Sequence, residues 1–584
     1  MKKPSFTIAL IARNEEKTLP KLVASLADFQ SRGGEILLLD TGSTDRTREV
    51  AIELGCNVVP AGDRYLTVVD DALAKKINEH FLVNGEEDIL KEGDKLFDFA
   101  SARNCIANLA YTDWIWMPDC DEAFTNLDID YIEEILQEEE INRLEYEFIF
   151  SHDGDGNPAI RFMHSKMYRK SQLGWKGIVH EVLAPLTHHS HGHARYVTQD
   201  KVLLEHYQNV ETNRSGYLRG LALDCYLHPE SDRNSHYFAR EMLWTGRPCS
   251  AIKEFERHIA MNKWPTEASQ SMIYIGDAVK QLGKDPVEWY QKAYNLEGGR
   301  REPLIRLADY YFEQQDAQKV VAYMEMALTI PHSNFYADFQ EHYTYKPHQL
   351  IYWAYWYLGN KEKSKEHYDI VASYLPNDFK VLNDRQFYYE LPKVTIIIPT
   401  LGRPEGLRRC LDSIKNLIYP KDLIEVLTID GDIQTVPEKV AEGLSHATGD
   451  IIVYGANDIE FTPGSLMIAM REMAEGNDLV AFNTGDEYLD RGNVCEHFAI
   501  KKEFVDKIGG EIFDTEFFHT CVDNLLWAKA NKFGTAMRSK DAVVKHYHFS
   551  KGYDMDAVYE KGWDHDQRAH DRALLKKKLA ELDA

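Results

Sequence analysis

Asp119, Asp121 and Glu122 follow directly on an apolar run, Trp114-Ile115-Trp116-Met117-Pro118, and carry the clearest chemistry in the chain. Carboxylates packed this closely repel one another. At the C-terminal edge of a strand they are suited to hold a hard cation, Mg²⁺ or Mn²⁺, whose preference is for oxygen ligands. A cation held there would face a diphosphate. An acidic turn after a buried strand is the competing reading, because aspartates favour turns.

The elements that must position these residues alternate between strand and helix. Phe6 to Ala12 reads as a buried strand, Glu16 to Phe29 has helical spacing, and Glu35 to Asp40 is a second strand that ends in a carboxylate. Thr41-Gly42-Ser43-Thr44-Asp45 then supplies a turn and a helix start, with Arg46 to Leu54 as the helix. This order predicts a doubly wound α/β sheet, with Arg13, Asn14, Glu15, Asp40 and Asp119 gathered at the carboxyl ends of its strands. From about Asn213 to Asp384 the period becomes helical throughout. Turns near Gly246, Gly283, Asp316 and Gly359 recur at a spacing that fits stacked helical hairpins of the tetratricopeptide type, a spacer or a peptide-binding surface. After it the first pattern returns. Lys393 to Thr400 is a β-branched strand, Ile424 to Asp430 a strand ending in Asp, and Ile451 to Tyr454 an apolar run leading to Ala456-Asn457-Asp458. The expected domains are therefore 1–205, 206–390 and 391–584: two α/β domains of one design around an all-α middle.

A chain of 584 residues is too long for one core. Its formal net charge of -27 disfavours a broad nucleic-acid or anionic-membrane surface. No apolar run reaches the roughly 20 residues of a bilayer span, and no signal-peptide pattern follows Met1, so a cytoplasmic protein is expected. The eight cysteines include no CxxC pair, which predicts reduced thiols and neither a zinc site nor a disulfide framework.

Four blocks resemble those of family 2 glycosyltransferases of the GT-A fold: Ala12-Arg13-Asn14-Glu15-Glu16, Asp40 to Thr47, Ala102-Arg103-Asn104 and Asp119-Cys120-Asp121-Glu122. Trp175-Lys176-Gly177-Ile178-Val179-His180-Glu181 is similar to the block found where such a domain precedes tetratricopeptide repeats. The resemblance implies a Rossmann-like mixed sheet and a nucleotide-sugar donor, a UDP-sugar being expected. It places Asp40 on the nucleoside, with Arg13, Asn14, Glu15 and Ser43 around the nucleotide pocket. Asp119 and Asp121 would hold ribose, diphosphate and an Mn²⁺ or Mg²⁺ ion, with His180 as a third ligand. Glu181 is then the acceptor base, with Glu122 in reserve. Arg103 reads equally as a donor contact or a packing residue. The stretch from Pro60 to Lys95 is an insertion with no readable role.

The C-terminal part is similar to the same family but less complete. Thr400, Arg403 and Asp430 suit a nucleotide pocket, while Ala456 stands where the first carboxylate of the acidic motif is expected. Asp458 would carry a metal with His546 or His548, and Asp523 would be the base, although Val522 replaces the acid usual beside it. The tail from Asp556, with Trp563 and Asp564, would close over this site. The leading expectation is a metal-dependent, inverting, bifunctional transferase acting on a hydroxyl of a glycan or protein acceptor. One alternative keeps a single active centre, with the repeats and the C-terminal domain binding acceptor or partner. Others are a scaffold in which neither domain turns over and, less in keeping with the charge, a glycosyltransferase of modified bases in viral DNA. A homo-oligomer stays open.

Overall fold

The computed structural model describes every residue except 1–2, 84, 153–157, 188–191, 208–215, 262, 334, 432–433, 486–493 and 549–564. The chain divides into two compact units, Met1–Leu350 and Ile351–Ala584. The helical middle expected over 206–390 is thereby shared between them.

The first unit is built on a mixed sheet. Its strands are β1 (Phe6–Ala12), β2 (Glu35–Asp40), β3 (Asn57–Pro60), β6 (Trp114–Trp116), β7 (Glu122–Leu127), β8 (Ile141–His152), β9 (Pro158–Arg169), β12 (His193–Val197) and β13 (Val202–His206). They run in the order β3-β2-β1-β6-β9-β8-β13-β7, with β12 paired to β8. The β3-β2-β1-β6 half is parallel and β9 enters antiparallel, so the sheet is doubly wound on one side only. Both faces of β1 and β2 are covered, which accounts for their continuous apolar runs. The single helix expected over 16–29 is instead two short helices, Leu19–Ser25 and Ala27–Ser31, broken at Leu26, whose backbone leaves the helical region. Two small ladders complete the strands: β4 (Leu66–Val68) with β5 (Lys95–Phe97), and β10 (Leu173–Lys176) with β11 (Val182–Pro185).

Among the described residues, seven helices follow within this unit, from Gly216–Leu227 to Ala317–Leu328. Gly246 and Gly283 adopt φ of 81° and 71° at the expected turns, and Gln315 reaches 59° at the third. The insertion after Pro60 carries β4 and a helix, Asp71–Phe81, whose Ile77 and Phe81 join the core of the array with Phe238 and Phe255. Arg247 Nε donates to the Glu87 carbonyl (2.7 Å) and Val83 N–H to Ser250 Oγ (2.8 Å). The insertion therefore ties the sheet domain to the array.

The second unit holds β14 (Val394–Thr400), β15 (Ile424–Asp430), β16 (Ile451–Tyr454), β17 (Ile459–Phe461), β18 (Leu479–Asn483), β19 (Phe498–Lys501) and β20 (Ala536–His546). Their order is β15-β14-β16-β19-β18-β20-β17. Strand for strand this repeats β2-β1-β6-β9-β8-β13-β7 of the first unit, with the same parallel or antiparallel sense at every step. A shared detail goes with the shared order. Thr7 and Thr395 each donate through the hydroxyl to a glutamate on the neighbouring strand, Glu35 and Glu425.

Candidate functional site

In the first unit the carboxyl ends of β1, β2 and β6 bring the expected residues together. Asp40, at the end of β2 and 3% exposed, accepts the Ser43 N–H (2.9 Å), and Ser43 Oγ accepts the Asn14 N–H (3.0 Å). Asn14 sits at φ 60° and accepts the Thr44 N–H (2.8 Å), so the loops after β1 and β2 brace each other. Arg13 is exposed beside them. Burial raises the Glu15 carboxyl above its usual range, and Asp121 and Asp119 nearby raise it further.

Asp119 is clamped between two cations. Arg103 Nη2 lies 2.7 Å from Oδ1 and Lys166 Nζ 2.6 Å from Oδ2. Burial alone would raise this carboxyl, but Lys166 and Arg103 outweigh it and hold it far below the usual range. Lys166 also bonds Glu122, which is 2% exposed and accepts the Asp119 N–H (2.9 Å). Burial, with Asp119 beside it, raises Glu122 despite the lysine. Arg103 links the pair onward through Nε to Glu181 Oε1 at 2.6 Å. Because both Asp119 oxygens carry cations and Glu122 is sealed beneath Lys166, neither is placed as expected, as metal ligand or as reserve base.

Asp121 has a different partner. His206, the last residue of β13, lies with Nε2 3.1 Å from Asp121 Oδ2, and its Nδ1 is 3.0 Å from the Phe150 carbonyl. Burial works against the charged ring, yet the Asp121 contact prevails and His206 titrates above its ordinary range. The family resemblance implies His180 as the ligand at this place. His180 instead stacks on Tyr237 of the array, with centroids 4.7 Å apart and planes at 14°, and burial with Arg240 and Arg233 nearby lowers it to about 3. An apolar run ending in His at Val202 to His206, paralleled by Val543 to His546, is the signal that could have found His206.

Among the described residues no three His, Cys, Asp or Glu side chains are grouped for a metal. Asp121 and His206 still offer one carboxylate and one imidazole on an open strand end. That donor set fits a Mn²⁺ or Mg²⁺ ion completed by substrate phosphate and water.

The second unit retains part of this arrangement. Asp458 precedes β17 as Asp121 precedes β7, and His546 faces Ile459 as His206 faces Glu122. His546 Nε2 is 3.9 Å from Asp458 Oδ1 and its Nδ1 3.4 Å from Glu496 Oε2. Glu496 was not expected. His548 lies beyond the strand, its ring 5.2 Å from that of His546. Arg403 Nη1 holds Asp458 Oδ2 at 2.9 Å, and Thr400, opposite Asp430 in the ladder, accepts from Asn457 Nδ2 at 3.1 Å. Asp523 lies in the first turn of the helix Val522–Phe533, which follows Cys521 at φ 67°. Burial and then Glu496 push it up to about 6. Trp563 and Asp564 lie outside the described residues. The helix His565–Asp583 packs on Val522–Phe533, and its buried Asp571 accepts the N–H groups of Phe518, His519 and Thr520.

The charged clamp has no such echo. Asp119 aligns with Ala456 and Glu122 with Ile459. Lys166, opposite Met117, aligns with Phe498, opposite Tyr454. Arg103 is the fifth residue of the helix Phe99–Leu109, and the fifth of its counterpart Val436–His446 is Val440. Four charged residues linked by ion pairs in the first unit are four apolar residues in the second.

Residues 7–64 match the family model for Glycosyl transferase family 2. Over 54 residues the chain is 48% identical to the 4,4'-diaponeurosporenoate glycosyltransferase of Staphylococcus haemolyticus, covering 9% of this chain and 14% of that protein. Over 127 residues it is 25% identical to glycosyltransferase AglE of Haloferax volcanii, covering 21% of this chain and 40% of that protein. The chain thus spans less than half the length of either curated relative. A solved structure similar to part of it is the mannosyltransferase PcManGT from Pyrobaculum calidifontis in complex with GDP-Man and Mn²⁺, at 19% identity over 30% of this chain and 66% of that one, with a TM-score of 0.24. No helix among the described residues is long and apolar enough to cross a membrane. The N-terminal segment of the first unit, which carries Arg13, Asn14, Glu15, Asp40 and Ser43, is the part of the chain that matches Glycosyl transferase family 2.

Proposed function

We propose that the chain is an inverting glycosyltransferase using a nucleotide-sugar donor, with its transfer centre in the first unit. The observation that carries this reading is the Glu181–Arg103–Asp119–Lys166–Glu122 chain of charges, set beside Asp121 and His206 within the fold whose first strands match the family. Asp40 and the braced Asn14–Ser43 loops receive the nucleoside. Asp121 and His206 would hold a divalent cation, which would screen the charge of the departing diphosphate. Glu181 takes the proton of the acceptor hydroxyl as its oxygen bonds to the anomeric carbon. The bond from that carbon to the diphosphate oxygen breaks, and the nucleoside diphosphate leaves with the electron pair. Arg103 fixes Glu181 and Asp119 relative to one another, and Glu122 keeps Lys166 in place beneath them. The expected order of importance is therefore changed, with Glu122 positioning rather than reacting.

The second unit is read as a nucleotide-binding copy without the clamp. A second active centre is favoured by one observation, the Asp458–His546 pair at the register of Asp121–His206. Glycan or protein remains the acceptor class. The test is release of free nucleoside diphosphate from a mixed nucleotide-sugar panel in the presence of Mn²⁺. Release well above that of an Asp119→Ala, Asp458→Ala double variant is expected, and release no greater than the variant's would end the enzyme reading.

A further inference from the structure

The loop that carries Glu181 is held by the helical array. Ile178 N–H donates to the buried Asp224 on the helix Gly216–Leu227 (2.7 Å), and Val179 packs where Gly220 leaves no room for a Cβ, which would lie 2.6 Å from its Cγ1. His180 is then turned to φ 51°, a backbone that a non-glycine residue keeps only where its surroundings impose it. Its ring stacks on Tyr237 of the helix Asp232–Trp244. The same Tyr237 ring is flanked by two guanidinium groups of that helix, Arg233 at 4.7 Å and Arg240 at 4.6 Å.

Around this one ring three buried nitrogens have no partner: His180 Nε2, Arg233 Nε and Arg240 Nε. Arg240 also donates to Glu241 (3.2 Å) and lies over Trp244 (4.5 Å), but no ion pair joins Arg233 to a carboxylate among the described residues. Buried N–H groups are nearly always satisfied, so two unpartnered guanidinium Nε–H groups, with an unpartnered imidazole nitrogen on the residue that precedes Glu181, point to a ligand that supplies acceptor atoms. In a chain of net charge -27, two half-buried arginines converging there select for negative charge, and their planar forks match carboxylate and phosphate oxygens.

We propose that Arg233, Arg240 and His180 form an acceptor subsite that recognises an anionic group, a carboxylate or a phosphate, on the sugar presented to Glu181. The array is then part of the active centre and not only a spacer. The subsite rests on the reading of the first unit as a transferase with Glu181 as base, and its test is separable from that reading. Glucuronate, glucose 6-phosphate and glucose are titrated calorimetrically into the full chain. Binding of at least one anionic sugar ten-fold or more tighter than glucose is expected, and which of the two binds tells a carboxylate from a phosphate. An Arg233→Met, Arg240→Met variant should lose that preference. An Arg233→Lys, Arg240→Lys variant, which keeps the charge but not the fork, should weaken it several-fold and serves if the first does not fold. Equal binding of glucose and the anions, or an unchanged preference in whichever variant folds, would overturn the proposal. Donor hydrolysis by the wild-type chain is followed in parallel. Anion preference without hydrolysis would remove the transferase reading alone, and hydrolysis without anion preference would remove the subsite alone.

Discussion

Over seven strands the two mixed sheets share one order and sense, yet the ion network at the end of β6 in the first has no counterpart in the second, where a different ion pair, Arg403 with Asp458, is found. Arg103, Asp119, Glu122 and Lys166 in the first stand where Val440, Ala456, Ile459 and Phe498 stand in the second. The fold therefore does not require the charges. Apolar residues at these positions leave the strand order unchanged, as expected where burying an ion pair costs as much as it returns. A four-residue charge network kept in one copy and absent as a set from the other is best explained by a task at that end of β6. What both copies retain, Asp121 with His206 and Asp458 with His546, lies at the strand ends.

This comparison predicts its own largest effect. Lys166→Met should destabilise the first unit by about 3 kcal/mol, because it leaves the buried Glu122 without its cation and the partly exposed Asp119 with Arg103 alone. An Asp119→Ala, Glu122→Ile, Lys166→Phe variant, carrying the residues of the second copy, should recover most of that loss in urea denaturation while releasing no nucleoside diphosphate. A triple variant no more stable than the single would mean that the two sheets are not interchangeable at this position. A smaller effect belongs to Asp523. Its carboxyl is raised from 3.8 to about 6, so the protonated form favours the fold, and this contribution is complete below pH 3.8 and lost as pH rises through 6. Asp523→Asn should therefore gain about 1–3 kcal/mol over wild type at pH 8, and much less at pH 4, in paired thermal melts. If Asp523 also serves as a base, any activity of the second unit rises through pH 6. The smallest effect tests the likeness itself. Thr7→Ala and Thr395→Ala each remove the hydroxyl bond to a strand-neighbour glutamate and a second bond that the same oxygen accepts, from the Thr112 hydroxyl and the Gly449 N–H, and should cost a similar amount, about 1–2 kcal/mol. A large difference between the two would show that the shared detail is superficial.

Much of this was legible in the sequence because it depends on local pattern. Apolar β-branched runs that stop at a carboxylate, at Asp40 and Asp430, marked strand ends, and Gly246, Gly283 and Gly359 marked turns that do adopt positive φ. The alignment of Ala456 with Asp119 was legible too, since both follow matching strands. What escaped depends on distant contacts. His206 meets Asp121 across 85 residues, and Lys166 lies in the middle of a long strand with no motif around it. His180 was misplaced because adjacency to Glu181 in sequence says nothing of which way a ring turns at φ 51°. The insertion after Pro60 was unreadable for the same reason, as its partners Arg247 and Ser250 come more than 150 residues later.

The central claim, that transfer belongs to the first unit, is tested most directly by comparing Asp121→Ala with Asp458→Ala in nucleoside diphosphate release from the best donor with Mn²⁺. Loss of at least 100-fold in Asp121→Ala, on the order of the cost of removing a principal electrostatic group, with Asp458→Ala keeping most of the wild-type rate, is the predicted result. Retention of the rate in Asp121→Ala with its loss in Asp458→Ala would place the chemistry in the second unit and contradict the account.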